Sequence, residues 1–256
     1  MNDVIEIQAL RKIYASEGDL VHALEGVDLV VREGEFVSIV GPSGCGKSTL
    51  LKIVAGLYPA TRGRVSVNGK PVRGPHADIG IVFQNPVLMS WRTVLSNILL
   101  QAEIRGLDLD VHRERAMELL DLVGIEGFGN RFPYQLSGGM QQRAAICRAL
   151  VHDPALLLMD EPFGALDALT REQMNLELLR IWSKRRKTVL FITHSIPEAV
   201  FLSDRVIVFS DRPGRVLADI GSDFERPRSL KTMESPEFAR PVGRIREYME
   251  AEGGID

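Results

Sequence analysis

The sequence predicts an α/β fold in which a mainly parallel, doubly wound sheet carries an antiparallel β part and a compact helical part. Three observations lead there. From Phe36 onward, short continuous apolar runs (36–40, 79–83, 155–159, 188–193 and 205–209) alternate with stretches whose apolar residues fall at helical spacing. Runs of that kind are strands buried on both faces, and their alternation with helices marks a parallel sheet. Ahead of Phe36, and again at 61–69, the pattern alternates and is broken by tight turns, which is antiparallel in character. From 93 to about 150 the spacing is helical throughout.

Taken in order, residues 4–10 alternate as a strand, with Tyr14 in a short polar turn after it. Residues 18–31 read as a second strand pair, and Glu33-Gly34-Glu35 turns the chain into the run 36–40. Leu50, Ile53, Val54 and Leu57 define a helix. Val65-Ser66-Val67 leads to Asn68-Gly69, the residue pair of a tight hairpin turn. The run 79–83 ends at Gln84, and the loop 85–91 (N-P-V-L-M-S-W) carries four apolar residues in seven. Such a loop either tucks into the core or offers a docking patch. Asp110 is placed to cap a helix with Ala116, Leu119, Leu120 and Val123 on its apolar face and Gly124 at its end.

Ser137 caps the next helix, with Gly138 and Gly139 in its first turn. Two glycines there cost roughly 1 kcal/mol each. Either a ligand approaches closely, or this is a plain capped start. The run 155–159 delivers Asp160 and Glu161 at its carboxyl end. After Gly164-Ala165-Leu166-Asp167 comes a helix with Met174, Leu178, Ile181 and Trp182 on one face, ending in the basic run Lys184-Arg185-Arg186-Lys187. The run 188–193 ends at His194, Ser195-Ile196-Pro197-Glu198 has the form of a capping box, and 205–209 closes the sheet. Beyond about 221 the chain is mixed in charge, dotted with Pro227, Pro236 and Pro241, and reads as a peripheral tail.

Composition narrows the function classes. At 256 residues, 45% hydrophobic and 25% charged, the chain can bury a substantial core. A formal net charge of −3 gives no electrostatic footprint for nucleic acid. No apolar run approaches the ~18–20 residues of a bilayer span, and the acidic start through Asp3 and Glu6 lacks the form of a signal peptide. Cys45 and Cys147 form no C-x-x-C, and the histidines show no metal-ligand spacing, so a reducing, cytoplasmic setting is expected.

The sharpest motif is residues 41–49, G-P-S-G-C-G-K-S-T, strung between a buried strand and a helix start. Gly41, Gly44 and Gly46 let backbone N–H groups turn inward on an anion, with Pro42, Ser43, Cys45 and Thr49 in the same cradle. The helix dipole and the free first-turn amides add attraction for negative charge. Lys47 can reach the β- and γ-phosphates, and the Ser48 hydroxyl can hold Mg²⁺. A nucleoside triphosphate is the expected ligand. A nucleophile elbow is excluded, because Cys45 stands where G-x-S-x-G needs its second glycine.

Around this loop the other candidates gather. Asp160 and Glu161 either form a solvated turn or, with a phosphate loop in the same chain, serve metal and water chemistry. His194 is either structural or a γ-phosphate sensor, and Tyr14 is either a half-buried strand-end residue or a stacking platform for a base. Cys45, beside a helix N-terminus and Lys47, is expected to have a lowered thiol pKa and to react readily, so that alkylation blocks nucleotide binding. Ligands of a parallel sheet bind outside the carboxyl ends of its strands, where 41–49, Gln84, Asp160, Glu161 and His194 all fall.

Over about residues 4–220 the chain resembles the ATP-binding cassette (ABC) family. The strongest mark is Leu136-Ser137-Gly138-Gly139-Met140-Gln141-Gln142-Arg143, in which Met140 replaces the usual glutamine; residues 41–49 and Leu156-Leu157-Leu158-Met159-Asp160-Glu161 complete the match. The resemblance implies a P-loop NTPase core of RecA-like type over 1–85 and 155–220, a helical signature subdomain over 86–154, and a short tail at 221–256. It implies ATP and Mg²⁺ as ligands, Tyr14 stacked on adenine, Lys47 on the β/γ-phosphates, and Ser48, Gln84 and Asp160 at the metal. Glu161 would be the general base or water-polarising group, with His194 on the γ-phosphate. Ser137, Gly138 and Gly139 would meet ATP bound to a second copy, and Asp167 would line the contact between the copies. Two head-to-tail copies would then share two ATP sites.

Within that family, a soluble ATPase acting on DNA would need a long coiled coil between Phe83 and Leu136, and the ribosome type two cassettes; a GTPase would show N-K-x-D. The expectation is therefore an importer subunit, peripheral at the cytoplasmic face of the membrane and without nucleic acid. A separate permease would dock near residues 84–91, with an extracellular or periplasmic solute-binding protein as an indirect partner. Residues 86–94 resemble the corresponding stretch of the nitrate/sulfonate/taurine importer group, which implies a small oxyanion as the solute.

Overall fold

The computed structural model describes residues 2–16, 19–164 and 166–251. Strands β1 (Asp3–Ser16) and β2 (Asp19–Arg32) pair antiparallel. After β3 (Phe36–Val40) and helix α1 (Lys47–Val54), β4 (Arg62–Val67) and β5 (Lys70–Pro71) extend that pair into a four-stranded sheet of order β2-β1-β4-β5. The β4–β5 turn is the expected Asn-Gly hairpin, with Asn68 at φ +51 and Gly69 at φ +70. Two expectations for this region are corrected. Tyr14 lies inside β1, opposite Val21, not in a turn beyond it. Residues 19–32 form one strand, not a strand pair, while Gly18 lies outside the described residues. The physical reason is a set of register shifts in β1 between Ile7 and Ile13, with Ala9 at φ +47. Each shift breaks the alternation locally without ending the strand.

The second sheet adds β6 (Ile79–Val82), β7 (Leu156–Asp160), β8 (Thr188–Ile192), β9 (Arg205–Phe209) and β10 (Val216–Gly221) to β3, in the order β10-β9-β3-β8-β7-β6. All neighbours are parallel except β10, which returns antiparallel along β9. The run 205–209 therefore does not close the sheet; β10 is its edge, and being mostly half-exposed it carries only a weak apolar signal. Alternation along the buried strands sets the layers. Phe36, Val189, Phe191, Leu157 and Met159 face one core, whereas Val37, Ile39, Leu190, Ile192, Leu156 and Leu158 face the other. The second core also holds Leu50, Leu51, Ile53 and Val54 with Ile5, Leu24 and Val27, so α1 is clasped between the two sheets.

Helices cover the opposite face: α2 (Val94–Ile104), α3 (Leu109–Leu122), α4 (Gly138–Leu150), α5 (Ala168–Arg185), α6 (Ile196–Leu202), α7 (Leu230–Met233) and α8 (Pro236–Ala251). The cap of α3 is Asp108, not Asp110. Asp108 has extended backbone, and its carboxylate accepts from Asp110 N (3.0 Å) and Val111 N (3.2 Å), which leaves Asp110 in the first turn. The capping box at α6 is half formed. Ser195 Oγ accepts from Glu198 N (3.3 Å), but the Glu198 carboxylate accepts from Thr193 Oγ1 (2.5 Å) instead of reaching back to Ser195. The basic run expected as a helix C-terminus does begin in the last turn of α5, but its last member leaves that pattern. Lys187 folds inward, donating to Pro154 O (2.5 Å) and pairing with Asp153 (2.6 Å). The side chains of Lys184 and Arg185 lie outside the described residues.

The segment expected as a peripheral tail is packed into the fold. Arg228, 6% exposed, donates to the carbonyls of Val200, Phe201, Ser203, Ser222 and Phe224. It thereby satisfies carbonyls that the end of α6 leaves without helical partners. Burial pulls its pKa down to about 10. Beyond it, α8 lays Phe238, Val242, Ile245 and Met249 against α6, β9 and β10.

Candidate nucleotide site

β3 runs directly into the loop 41–46, and α1 starts at Lys47, so the first-turn amides of α1 open onto the end of the sheet. The loop is pressed against its neighbours at two glycines. A Cβ on Gly41 would lie 2.9 Å from Phe209 Cβ, and one on Gly46, at φ +108, would lie 2.5 Å from Ala23 O. No larger residue fits either place. Lys47, 5% exposed, donates from Nζ to Gly41 O and Pro42 O, each at 2.7 Å, and so curls the loop around its own ammonium group. Ser48 Oγ donates to Asp160 Oδ1 at 2.8 Å, joining the start of α1 to the end of β7. Asp160 is buried, and burial raises its carboxyl pKa against the opposing hydrogen bond from Ser48 and the charges of Lys52 and Lys47.

Glu161 follows at φ +46, a backbone state that costs a residue with a Cβ about 1–3 kcal/mol. Its N–H donates to Ile192 O (2.9 Å), tying it to the end of β8. Both carboxylate oxygens are held. Oε2 accepts from Gln84 Nε2 (2.9 Å), and Oε1 faces His194 Nδ1 (2.9 Å). Three strand ends thus deliver Gln84, Glu161 and His194 to one point. At the other end of the loop, the Tyr14 and Thr49 hydroxyls meet at 3.3 Å, and Lys12 Nζ lies 4.8 Å from the centre of the Tyr14 ring.

A cavity of about 490 Å³ is lined by Tyr14, Ser43, Gly44, Gly46, Lys47, Ser48, Thr49, Gln84, Glu161 and His194. That is within the size range of small-molecule sites. Larger clefts, of about 660 and 800 Å³, contain none of these residues, so chemistry and not size picks out the site. Gly41, Pro42 and Cys45 sit behind the loop, and Asp160 reaches the cavity through Ser48.

Ser137, Gly138, Gly139 and Asp167 are not part of this lining. Ser137 caps α4, its hydroxyl accepting from Met140 N (3.4 Å). A Cβ on Gly139 would lie 2.9 Å from Leu166 Cδ2, so the start of α4 abuts the residue before Asp167. Asp167 caps α5, and the Thr170 N–H it accepts (3.0 Å) lowers its pKa. Ala165 lies outside the described residues. These four residues make a second group, away from the cavity of their own chain.

The expectation of a reactive Cys45 is corrected. Its side chain is fully buried, and burial pushes the thiol above its ordinary pKa, with Lys47 opposing only in part. A helix N-terminus lowers a thiol pKa only where the thiolate stays solvated. Cys45 is therefore expected to react with iodoacetamide at a small fraction of its rate in the urea-unfolded chain; equal rates would contradict its burial.

Two positions went unsingled in the sequence. Gln142, buried in α4, donates from Nε2 to Phe83 O (3.0 Å), fixing the residue before Gln84 to the helical part. Arg212 lines the cavity. Gln142 stands within the 136–143 stretch without a role read for it there, and Arg212 is a surface arginine in a turn with no sequence signal of its own.

Comparison with known proteins agrees with this architecture. The ABC transporter family model matches residues 24–164. An uncharacterised ABC transporter ATP-binding protein of Methanocaldococcus jannaschii is 50% identical over 238 residues, covering 93% of this chain and 89% of its own. The taurine import ATP-binding protein TauB of Rhizobium johnstonii is 49% identical over 239 residues, covering 91% of this chain and 90% of its own. Among solved structures, a dimeric ATP-binding cassette in a post-hydrolysis state, bound to ADP and Pi, superposes with a TM-score of 0.78 at 35% identity, over 86% of this chain and 100% of that one. With the family model matching more than half of the chain and a relative 50% identical over 93% of it, the chain belongs to the ABC transporter family as one of its ATP-binding cassettes.

Proposed function

We propose that this chain is the ATP-hydrolysing subunit of an ABC importer and couples ATP-driven closure of two copies to solute uptake through a separate permease. One observation carries the chemistry: Glu161, with both oxygens held by Gln84 and His194, stands at the end of the cavity that the Lys47 loop opens. Phosphoryl transfer to water asks for positioning and charge stabilisation more than for covalent chemistry. Loop amides and Lys47 bind and orient the β- and γ-phosphates. Glu161 accepts a proton of the attacking water or polarises it, and Gln84 and His194 keep the carboxylate aimed. With Nδ1 turned to Glu161, His194 presents Nε2 to the γ-phosphate, a contact that requires both ring nitrogens to carry a proton. Tyr14 carries Lys12 on its ring and supplies apolar surface for the adenine.

The Ser48 hydroxyl and Asp160 carboxylate, 2.8 Å apart, form an all-oxygen donor set suited to Mg²⁺, and a cation there would offset the burial of the Asp160 charge. With the Gln84 amide, they would hold the ion, which when bound neutralises phosphate charge. Ser137, Gly138, Gly139 and Asp167, standing away from their own cavity, are the groups that a second copy would bring to it. The similar solved cassettes are dimers, which supports that reading.

The permease is proposed to dock at residues 84–91. Val87 and Trp91 are 62% and 74% exposed there, while Arg148 donates to the carbonyls of Pro86 (2.9 Å) and Val87 (2.8 Å). The loop backbone is fixed, Leu88 tucks against the core, and Val87 and Trp91 face outward. Among the described residues no helix is long and apolar enough to cross a membrane, in keeping with a peripheral subunit at the cytoplasmic face. The taurine-import relatives support a small oxyanion of the taurine type as solute. Affinity capture of the tagged chain from gently solubilised membranes is expected to bring a multi-span permease in stoichiometric amount. Ribosomal or DNA-bound proteins in its place would overturn the importer reading and leave the ATPase chemistry standing.

A further inference from the structure

The hairpin joining β9 to β10 carries an arginine that the reaction described above does not use. This hairpin folds over β2: Gly214 N donates to Ala23 O (3.0 Å), and Glu25 N donates to Gly214 O (3.1 Å). It also bears on the phosphate loop, since a Cβ on Gly214 would lie 2.2 Å from Cys45 O. Within the turn, the Asp211 carboxylate accepts Arg212 N (2.7 Å), and Ser210 Oγ accepts Arg215 N (3.0 Å). The hairpin that carries Arg212 is thus held at Gly214 from two sides, by β2 and by the loop that cradles the phosphates.

Its side chain is exposed and lines the same cavity as Tyr14, Val21 and Ala23. Among the described residues its guanidinium makes no hydrogen bond and no ion pair, in contrast to Arg205, Arg226 and Arg228, which are paired several times over. Position along β2 relates the hairpin to Tyr14. Tyr14 is the register partner of Val21, and Ala23, two residues further on, holds Gly214. The segment of β2 that anchors the hairpin is thus the one paired with Tyr14, and Tyr14, Val21, Ala23 and Arg212 line one cavity together.

We propose that Arg212 is a nucleotide-contact residue whose guanidinium lies against the base and ribose and completes the wall that Tyr14 begins. A planar, weakly hydrated guanidinium lies flat on an aromatic face, where a lysine ammonium makes only a point-charge contact. The contact is with the nucleoside, so it serves ATP and ADP alike and holds the nucleotide through hydrolysis. This inference rests on the ATP-binding reading of the cavity.

The test is calorimetric titration of the full chain with ATP and, separately, with ADP, for the wild type, Arg212→Ala and Arg212→Lys. Because Arg212 is exposed, its removal takes nothing from the core, and thermal melting of each variant checks this. The alanine variant is expected to bind both nucleotides about five- to tenfold more weakly, with lysine recovering only part of the loss. Unchanged affinities beside a wild type that binds would overturn the proposal. So would a loss confined to ATP, which would put Arg212 on the γ-phosphate, or full recovery by lysine, which would reduce the contact to a point charge. A wild type that binds neither nucleotide would sink the ATP reading itself, a separate failure.

Discussion

Glu161→Gln is expected to lower ATP turnover by about a hundredfold or more while leaving ATP bound. The substitution keeps the shape of the side chain but halves its accepting capacity. In the native site one carboxylate oxygen receives the Gln84 amide and the other faces His194 Nδ1. A glutamine can satisfy one of these donors and must turn an NH₂ group toward the other. It also has no charge with which to polarise a water molecule. The proposed nucleotide contacts through Lys47 and the loop amides are untouched, so ATP should accumulate on the protein and hold two copies closed. Phosphate release at saturating ATP, with size-exclusion chromatography in ATP, measures both effects. Wild-type turnover in the variant would remove Glu161 from the mechanism.

Lys47→Ala is expected to weaken ATP affinity by about a hundredfold, from two losses acting together. One is the direct charge-assisted contact with the phosphates, worth about 1.5–3 kcal/mol where water is excluded. The other is preorganisation. Lys47 Nζ draws Gly41 O and Pro42 O to within 2.7 Å, and without it the loop has one constraint fewer on the inward turn of its amides. Equilibrium titration with a fluorescent ATP analogue reads the combined effect, and an affinity within a fewfold of wild type would exclude both.

The parts of this molecule that could be read in the sequence are those where one stretch carries both the signal and its context. Residues 41–49 place glycines, lysine and serine in a single loop between strand and helix, and β7 and β8 announce themselves as unbroken apolar runs ending in Asp160-Glu161 and His194. What escaped is decided by partners far along the chain. Tyr14 sits in a strand because β1 runs on through its register shifts to Ser16, opposite a β2 that no local pattern delimits. Asp108 and Asp110 are equally good caps in composition, and only the extended backbone at Asp108 chooses between them. Cys45 was read from its charged neighbours alone, whereas its burial under Gly41 and the β9–β10 hairpin is the larger effect. The segment beyond 221 read as a peripheral tail because the carbonyls that hold Arg228 lie in and just after α6 and in the stretch following β10, out of reach of any local pattern.

That clamp changes what a truncation within this segment does. A stop codon or frameshift ahead of Arg228 would strip more than surplus length: the carbonyls closing α6 would lose their donor, and Phe238, Val242, Ile245 and Met249 would no longer cover α6, β9 and β10. Because β9 also backs the phosphate loop at Gly41, losing Arg228 and α8 would loosen the support of that loop as well as the packing of α6.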